Sequence, residues 1–179
     1  MPTATTFKLL ALLALLGAAV FTDIRDNRIP NRVTVGGALV GTVLTAVESS
    51  AFPTGAFLGI AVALGLGFPL FALRAVGAGD VKLLAAVGAF MGPGALLSVV
   101  LYGGVAGGIL GLGSAVRRGV ILPILLEARN LVVYLITLGR HGRRRTLDDP
   151  EAHTVPYGVA IAVGAVAAWL FPISLGGGL

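Results

Sequence analysis

Six apolar stretches, parted by interruptions that are alternately basic and free of lysine and arginine, constrain this chain more than any other feature. They run over Leu9–Thr22, Val33–Val47, Ala56–Leu73, Val81–Phe90, Ala95–Val116 and Val155–Ile173. A helix crosses a hydrocarbon core of about 30 Å with roughly 20 mostly apolar residues. The second and fourth stretches fall short of that, so their helices are expected to extend into the flanking residues. Apolar residues make up 56% of the chain and charged ones 12%, against roughly 25% charged in an ordinary soluble domain. So little polar surface cannot cover a soluble fold. The expectation is an all-α polytopic membrane protein, one domain over residues 1–179, with about six transmembrane helices.

The basic residues orient it. Arg25, Arg28 and Arg32 lie between the first two spans, Arg74 and Lys82 flank the third connection, and Arg117, Arg118, Arg140 and Arg143–Arg145 lie between spans five and six. The alternate connections, Glu48–Gly55 and Met91–Gly94, carry no lysine or arginine. Every basic connection then falls on one side, which the positive-inside rule makes cytoplasmic, with both termini outside. Lys8 before a short apolar run also suits a signal peptide, but Asp23–Arg32 and the next apolar stretch follow at once and favour a first span.

Residues 119–139 are apolar enough to be a seventh span, yet carry Glu127, Arg129 and Asn130 at their middle. Glu127, Asn130, Tyr134 and Thr137 share a helical face by spacing. A helix lying along the cytoplasmic interface, basic at both ends, is the expectation.

The net charge of +5 suits cytoplasmic loops and anionic headgroups, and no nucleic-acid partner is implied. With no cysteine, disulfides, thiolate metal sites and a cysteine nucleophile are excluded. The 27 glycines lie inside apolar runs without a triplet period. Gly103, Gly107 and Gly111, like Gly104 and Gly108, are spaced four apart, the small-xxx-small pattern of close helix contact.

Acids are scarce: Asp23, Asp26, Glu48, Asp80, Glu127, Asp148, Asp149 and Glu151. Among them Asp23 closes the first span and Asp80 opens the fourth, both at the cytoplasmic boundary of the expected topology. An acid at such depth is costly to desolvate and marks a functional site by default. Two carboxylates facing one water suit peptide hydrolysis, because like charges a few ångströms apart share one proton. Neither a metal nor an organic cofactor is required. Two glycines, Gly77 and Gly79, precede Asp80 and permit unusual backbone angles or close approach of another chain. The structural alternative pairs Asp23 with Arg25 or Arg28, and Asp80 with Lys82, as interfacial ion pairs.

The run Asp23-Ile24-Arg25-Asp26-Asn27-Arg28-Ile29-Pro30-Asn31 resembles the first signature of the type IV prepilin peptidases. Gly77-Ala78-Gly79-Asp80-Val81-Lys82 resembles their Gly-x-Gly-Asp signature, and Val155-Pro156-Tyr157-Gly158 a further short element of that family. The resemblance implies an aspartic endopeptidase of the bacterial inner membrane, its site facing the cytoplasm, that cleaves basic leaders from prepilins or pseudopilins. It places the two catalytic aspartates on Asp23 and Asp80, with Arg25, Pro30, Asn31, Gly77, Gly79 and Lys82 as supporting or substrate-binding positions. Larger members carry an amino-terminal region with paired cysteines, associated with methylating the new amino terminus. This chain, without cysteine and starting on its first span, resembles the short peptidase-only forms that serve Flp-type pili, so N-methyltransferase activity is not expected.

The other polar residues read as scaffold. Asp26 is an exposed partner for a nearby arginine; Asp148, Asp149 and Glu151 form a solvated turn; His141 and His153 stand apart and make no metal site. Tyr157 and Trp169 suit interfacial anchoring. The alternative reading is a proton- or ion-coupled transporter or channel subunit using the same acids. It is separated from a peptidase by a flux that Asp80→Asn abolishes with no peptide cleaved. A presenilin-type protease is disfavoured, since Asp23 follows Thr22 and not tyrosine, and a purely structural protein would tolerate loss of either aspartate.

Overall fold

A computed structural model describes residues 2–72, 76–118, 129 and 157–173. Among them the regular elements are all helices: α1 (Pro2–Asp26), α2 (Asn31–Ser49), α3 (Thr54–Ala72), α4 (Ala78–Met91), α5 (Pro93–Arg118) and α6 (Tyr157–Leu170). Three segments, Thr5–Asp26, Thr54–Ala72 and Pro93–Ser114, are long and apolar enough to cross a membrane, and Tyr157–Leu170 is a shorter apolar helix. The two stretches that looked short do extend, α2 to 19 residues and α4 to 14. The expected interfacial helix over 119–139, and the loop acids and histidines beyond it, lie outside the described residues.

The chain forms two compact units, Met1–Gly107 with Pro156–Leu179, and Gly108–Val155. The second is described only along the last turns of α5 and at Arg129. The first is built around α4, which packs on α1, α2, α3 and α6. From Leu83 to Phe90 every residue of α4 is buried. At about 1.5 Å per residue α4 is only about 21 Å long, less than a hydrocarbon core. A short helix is tolerated there because its middle is enclosed by other helices and not by lipid.

Between helices in a bilayer the apolar driving force of water is absent, so close van der Waals packing takes its place. The tightest crossing is that of α3 and α4: a Cβ added at Gly59 would collide with the Gly88 carbonyl oxygen, and one at Gly88 would stand 2.5 Å from the Gly59 oxygen. The expected glycine rows on α5 divide. Gly103 and Gly107 do face a neighbour, their added Cβ atoms lying 3.2 Å from the Ala160 oxygen and 3.4 Å from its Cβ. For Gly104, Gly108 and Gly111 the expected contact is not found among the described residues, none of which lies within 4 Å of an added Cβ. Periodicity shows that small residues share a face, but not whether a helix lies against it.

Many large apolar side chains point outward, Phe7, Leu39, Val43, Val105 and Ile109 among them, each at least 60% exposed. Patches of that extent are rare on soluble monomers and suit lipid contact. The protein is a membrane protein.

Loop chemistry brings one set of helix ends together. Helix α1 stops as Asn27 turns left-handed, φ 48°, with its N–H still bonded to the Asp23 carbonyl at 2.9 Å; asparagine tolerates that region better than most residues. Pro30 then holds φ −63° and ψ 143° as the residue before α2, and its carbonyl accepts from Val33 and Thr34. Ile29, between the two turns, is 8% exposed and joins the core. At the far end Lys8 donates to Glu48 at 2.6 Å and ties α1 to α2. There too Ser98 Oγ accepts from Ile173 N–H at 3.1 Å and Tyr102 donates to the Phe171 carbonyl at 3.0 Å, tying α5 to the end of α6.

Candidate active site

Asp23 is 7% exposed, the one charged side chain among the described residues that is buried. It stands on the last full turn of α1. Its Oδ2 accepts a hydrogen bond of 2.8 Å from the backbone N–H of Gly158, 135 residues away in the first turn of α6. The first N–H groups of a helix have no partner within it, so the end of α6 has donors to spare for a carboxylate. A Cβ at Gly158 would lie 2.7 Å from that oxygen and 3.1 Å from Ile29 Cδ1. Only glycine lets α6 approach Asp23 this closely. Gly158 is the residue that sequence reasoning did not single out; its signal was the short element Val155–Gly158, noted but given no role.

Asp80 is half-buried on the first turn of α4. Its Oδ2 accepts from the Gly77 N–H at 3.0 Å, the acidic half of a capping box, in which a side chain at the third helical position reaches back to the capping residue. The positive end of the helix dipole favours an anion at this position. Gly77 has φ −76° and ψ 156°, a conformation open to any residue. The two glycines therefore serve proximity and not an unusual backbone angle: an added Cβ at Gly77 would sit 3.1 Å from Asp80 Oδ2, and one at Gly79 would sit 3.3 Å from Ile29 Cβ.

Ile29 thus touches both halves, lying against Gly79 beside Asp80 and against Gly158 above Asp23. Through Ile29 the segments that carry the two aspartates meet. Neither takes part in an ion pair among the described residues. Arg25 faces Asp26 instead, at 3.7 Å with both side chains exposed, and Lys82 donates to Asn31 Oδ1 at 2.9 Å. The structural alternative of interfacial ion pairs therefore fails at Asp23 and Asp80, while Asp26 is the exposed arginine partner it was expected to be.

The supporting positions divide by location. Pro30 and Asn31 set the start of α2, and the Asn31–Lys82 bond ties that start to α4. Gly77 and Gly79 shape the approach to Asp80. Arg25 lies on the surface, 70% exposed along its side chain, and touches neither aspartate. A cavity of about 150 Å³ opens beside Asp80, lined by α3, α4, α5 and α6 with Tyr157 on its wall.

Residues 10–112, which include both aspartates, match the model of the type IV leader peptidase family. The chain is 30% identical over 162 residues to the prepilin leader peptidase/N-methyltransferase of Myxococcus xanthus strain DK1622, covering 82% of this chain and 41% of that relative. The chain thus spans about two fifths of the length of the curated relative it matches. No solved structure matches. With both aspartates inside the matched region and one end of the bundle built around them, the chain belongs to the type IV leader peptidase family.

Proposed function

We propose that this protein is a membrane aspartic endopeptidase that removes the basic leader of Flp-type prepilins or pseudopilins at the cytoplasmic boundary of the bacterial inner membrane. The observation that carries the reading is the pair of acids from distant segments, gathered at one end of the bundle, each held by a backbone N–H and neither paired with a cation among the described residues. Carboxylates held this way keep free lone pairs for water, which an ion pair would occupy.

In this reading a water lies between Asp23 and Asp80, one carboxylate anionic and the other protonated. The anion takes a proton from the water as its oxygen attacks the scissile carbonyl carbon. The protonated acid hydrogen-bonds the carbonyl oxygen, which becomes the oxyanion of a tetrahedral intermediate. The intermediate collapses as the C–N bond breaks and a proton passes to the departing amine. Which acid holds the proton is a property of the pair. The step uses no metal or cofactor.

The substrate class follows from where the site lies. Arg25, Arg28, Arg32 and Lys82 gather at this end of the bundle, and six spans with both termini outside would place it in the cytoplasm. A prepilin has its basic leader on that side and its apolar helix in the bilayer, so its scissile bond reaches the depth of these acids. Peptidase action without methyl transfer fits a chain that has no cysteine.

The test is processing of a co-expressed Flp-type prepilin in membranes, read by gel shift, amino-terminal sequencing and mass. Wild type should release the leader and leave an unmethylated terminus, while Asp23→Asn and Asp80→Asn at equal membrane levels should not cleave. Cleavage persisting in either variant removes that residue from the mechanism. A proton or ion flux lost in Asp80→Asn without any cleavage by wild type establishes the transporter alternative instead.

A further inference from the structure

The two acids stand on helices that meet little. Helix α4, with Asp80, packs mainly on α2 and α3 and far less on α1, which carries Asp23. Asp23 is instead held from α6, by the Gly158 N–H. Contact between their own helices therefore does little to set how far apart the acids stand. One residue reaches both of the helix starts that hold them. A Cβ added at Gly79, on the turn of α4 that carries Asp80, would meet Ile29 Cβ at 3.3 Å and the Ile29 N and O atoms at 3.6 Å. A Cβ added at Gly158 would meet Ile29 Cδ1 at 3.1 Å. The backbone and root of Ile29 thus lie against α4, and the tip of its side chain against α6.

Ile29 is held stiffly in this place. Before it, the left-handed Asn27 closes a turn with its N–H on the Asp23 carbonyl. After it comes Pro30, whose ring locks φ. A β-branched side chain has a restricted χ1, and this one is 8% exposed within the core. Close-packed interiors transmit small changes of volume to their neighbours. The hydrogen bonds that hold the acids run to Gly158 and Gly77 and not to Ile29, so what Ile29 governs is where the two helix starts lie.

We propose that Ile29 is a positioning residue for peptide hydrolysis, a spacer between the starts of α4 and α6 that sets the separation of Asp23 and Asp80 around their shared water. The inference rests on the peptidase reading above. Ile29 has no polar side-chain group and takes no part in the proton transfers. Its contribution is to hold two carboxylates from distant segments at the distance at which one water can serve both.

The experiment uses the full chain in detergent and one Flp-type prepilin, with kcat and KM measured per folded molecule. Wild type is compared with Ile29→Val, Ile29→Ala and Leu12→Ala. Valine keeps the Cβ that lies against α4 and loses only Cδ1, the atom that lies against α6. Leu12 is 1% exposed on α1, about 16 Å along the helix from Asp23. Its truncation removes as many carbon atoms as Ile29→Ala and so matches the loss of core volume away from the site. Ile29→Ala should lower kcat about a hundredfold, the scale of a 1 Å displacement among reacting groups, with KM held within about threefold. Ile29→Val should lie between, near a tenfold loss on the same scale. Leu12→Ala should lower the melting temperature comparably and keep kcat within about threefold, since it displaces no reacting group.

A kcat for Ile29→Ala within about threefold of wild type, smaller than any displacement of the acids would give, overturns the proposal. An equal loss of kcat in Leu12→Ala, or a loss confined to KM, overturns it as well. Should Ile29→Ala fail to fold, Ile29→Val decides by the same rule. Failure of wild type to cleave the prepilin overturns the peptidase reading itself, and this inference with it.

Discussion

The two ends of the first unit each place acid groups beside apolar helices, and they treat them in opposite ways. At one end Glu48 meets Lys8 at 2.6 Å and Thr5 Oγ1 at 3.1 Å, so the charges cancel and two helices are tied together. The same pairing explains why a lysine is tolerated at the end otherwise free of basic residues among the described ones. At the other end basic residues abound, yet Asp23 and Asp80 are satisfied by the N–H groups of Gly158 and Gly77. A cation close to a carboxylate makes a structural tie; backbone donors hold it in place and leave its remaining lone pairs available. Proximity of opposite charges in the sequence therefore says little about which acids end up in ion pairs.

Substitution of the acids themselves should break this contrast most sharply. Asp23→Asn and Asp80→Asn should each reduce prepilin cleavage by about a thousandfold or more, the scale of losing an essential acid or base. Glu48→Gln, the same change at the opposite end, should leave the rate within about threefold. A loss for Glu48→Gln comparable to those at the aspartates, at equal membrane levels, would dissolve the distinction between the two ends.

Next comes Gly158→Ala. The added methyl would stand 2.7 Å from Asp23 Oδ2, so either the carboxylate or the start of α6 must move. Displacement by about 1 Å costs on the order of a hundredfold in rate. Cleavage should therefore fall by about that factor while the protein still inserts and keeps its melting temperature in detergent within a few degrees. Wild-type activity in Gly158→Ala would show that the position of Asp23 is not set by α6.

The smallest effect belongs to the ion pair. Lys8→Met should lower stability in detergent by at most about 1 kcal/mol, the usual range for a partly exposed pair. The hydrogen bond from Lys8 holds the Glu48 carboxyl below its ordinary value of 4.5. A depressed folded-state value contributes stability above the unfolded value and loses it as pH falls through the folded one. The difference between wild type and Lys8→Met should thus be full above about pH 5 and fade in more acidic detergent solution. A difference that grows on acidification contradicts the pairing.

Much of this site was legible in the chain. Asp23 and Asp80 stood out because few acids border the apolar runs, and burial of charge is costly enough to make each one informative. Pro30 and Asn31 were legible as a helix start by their own chemistry. Gly158 was not, because its role depends on a backbone N–H meeting an atom 135 residues away, and no local pattern encodes that meeting. The Gly59–Gly88 crossing escaped for the same reason, while the regular glycine rows on α5 attracted attention and only Gly103 and Gly107 of them meet a described neighbour within 4 Å. Arg25 matched a motif position yet stands in the open beside Asp26, so a motif match located it without locating its contacts.

By itself, then, the chain determined its helical, membrane-embedded class, the spacing of its apolar stretches and the residues able to do acid–base chemistry. Those follow from hydropathy, backbone hydrogen bonding and side-chain type, each a property of residues taken a few at a time. Tertiary structure alone decided that the acids share one end, that glycine amides hold them, and that four helices leave a cavity of about 150 Å³ beside Asp80. Those depend on how distant helices pack, and helix packing in a bilayer turns on contacts of a few tenths of an ångström that residue type does not disclose.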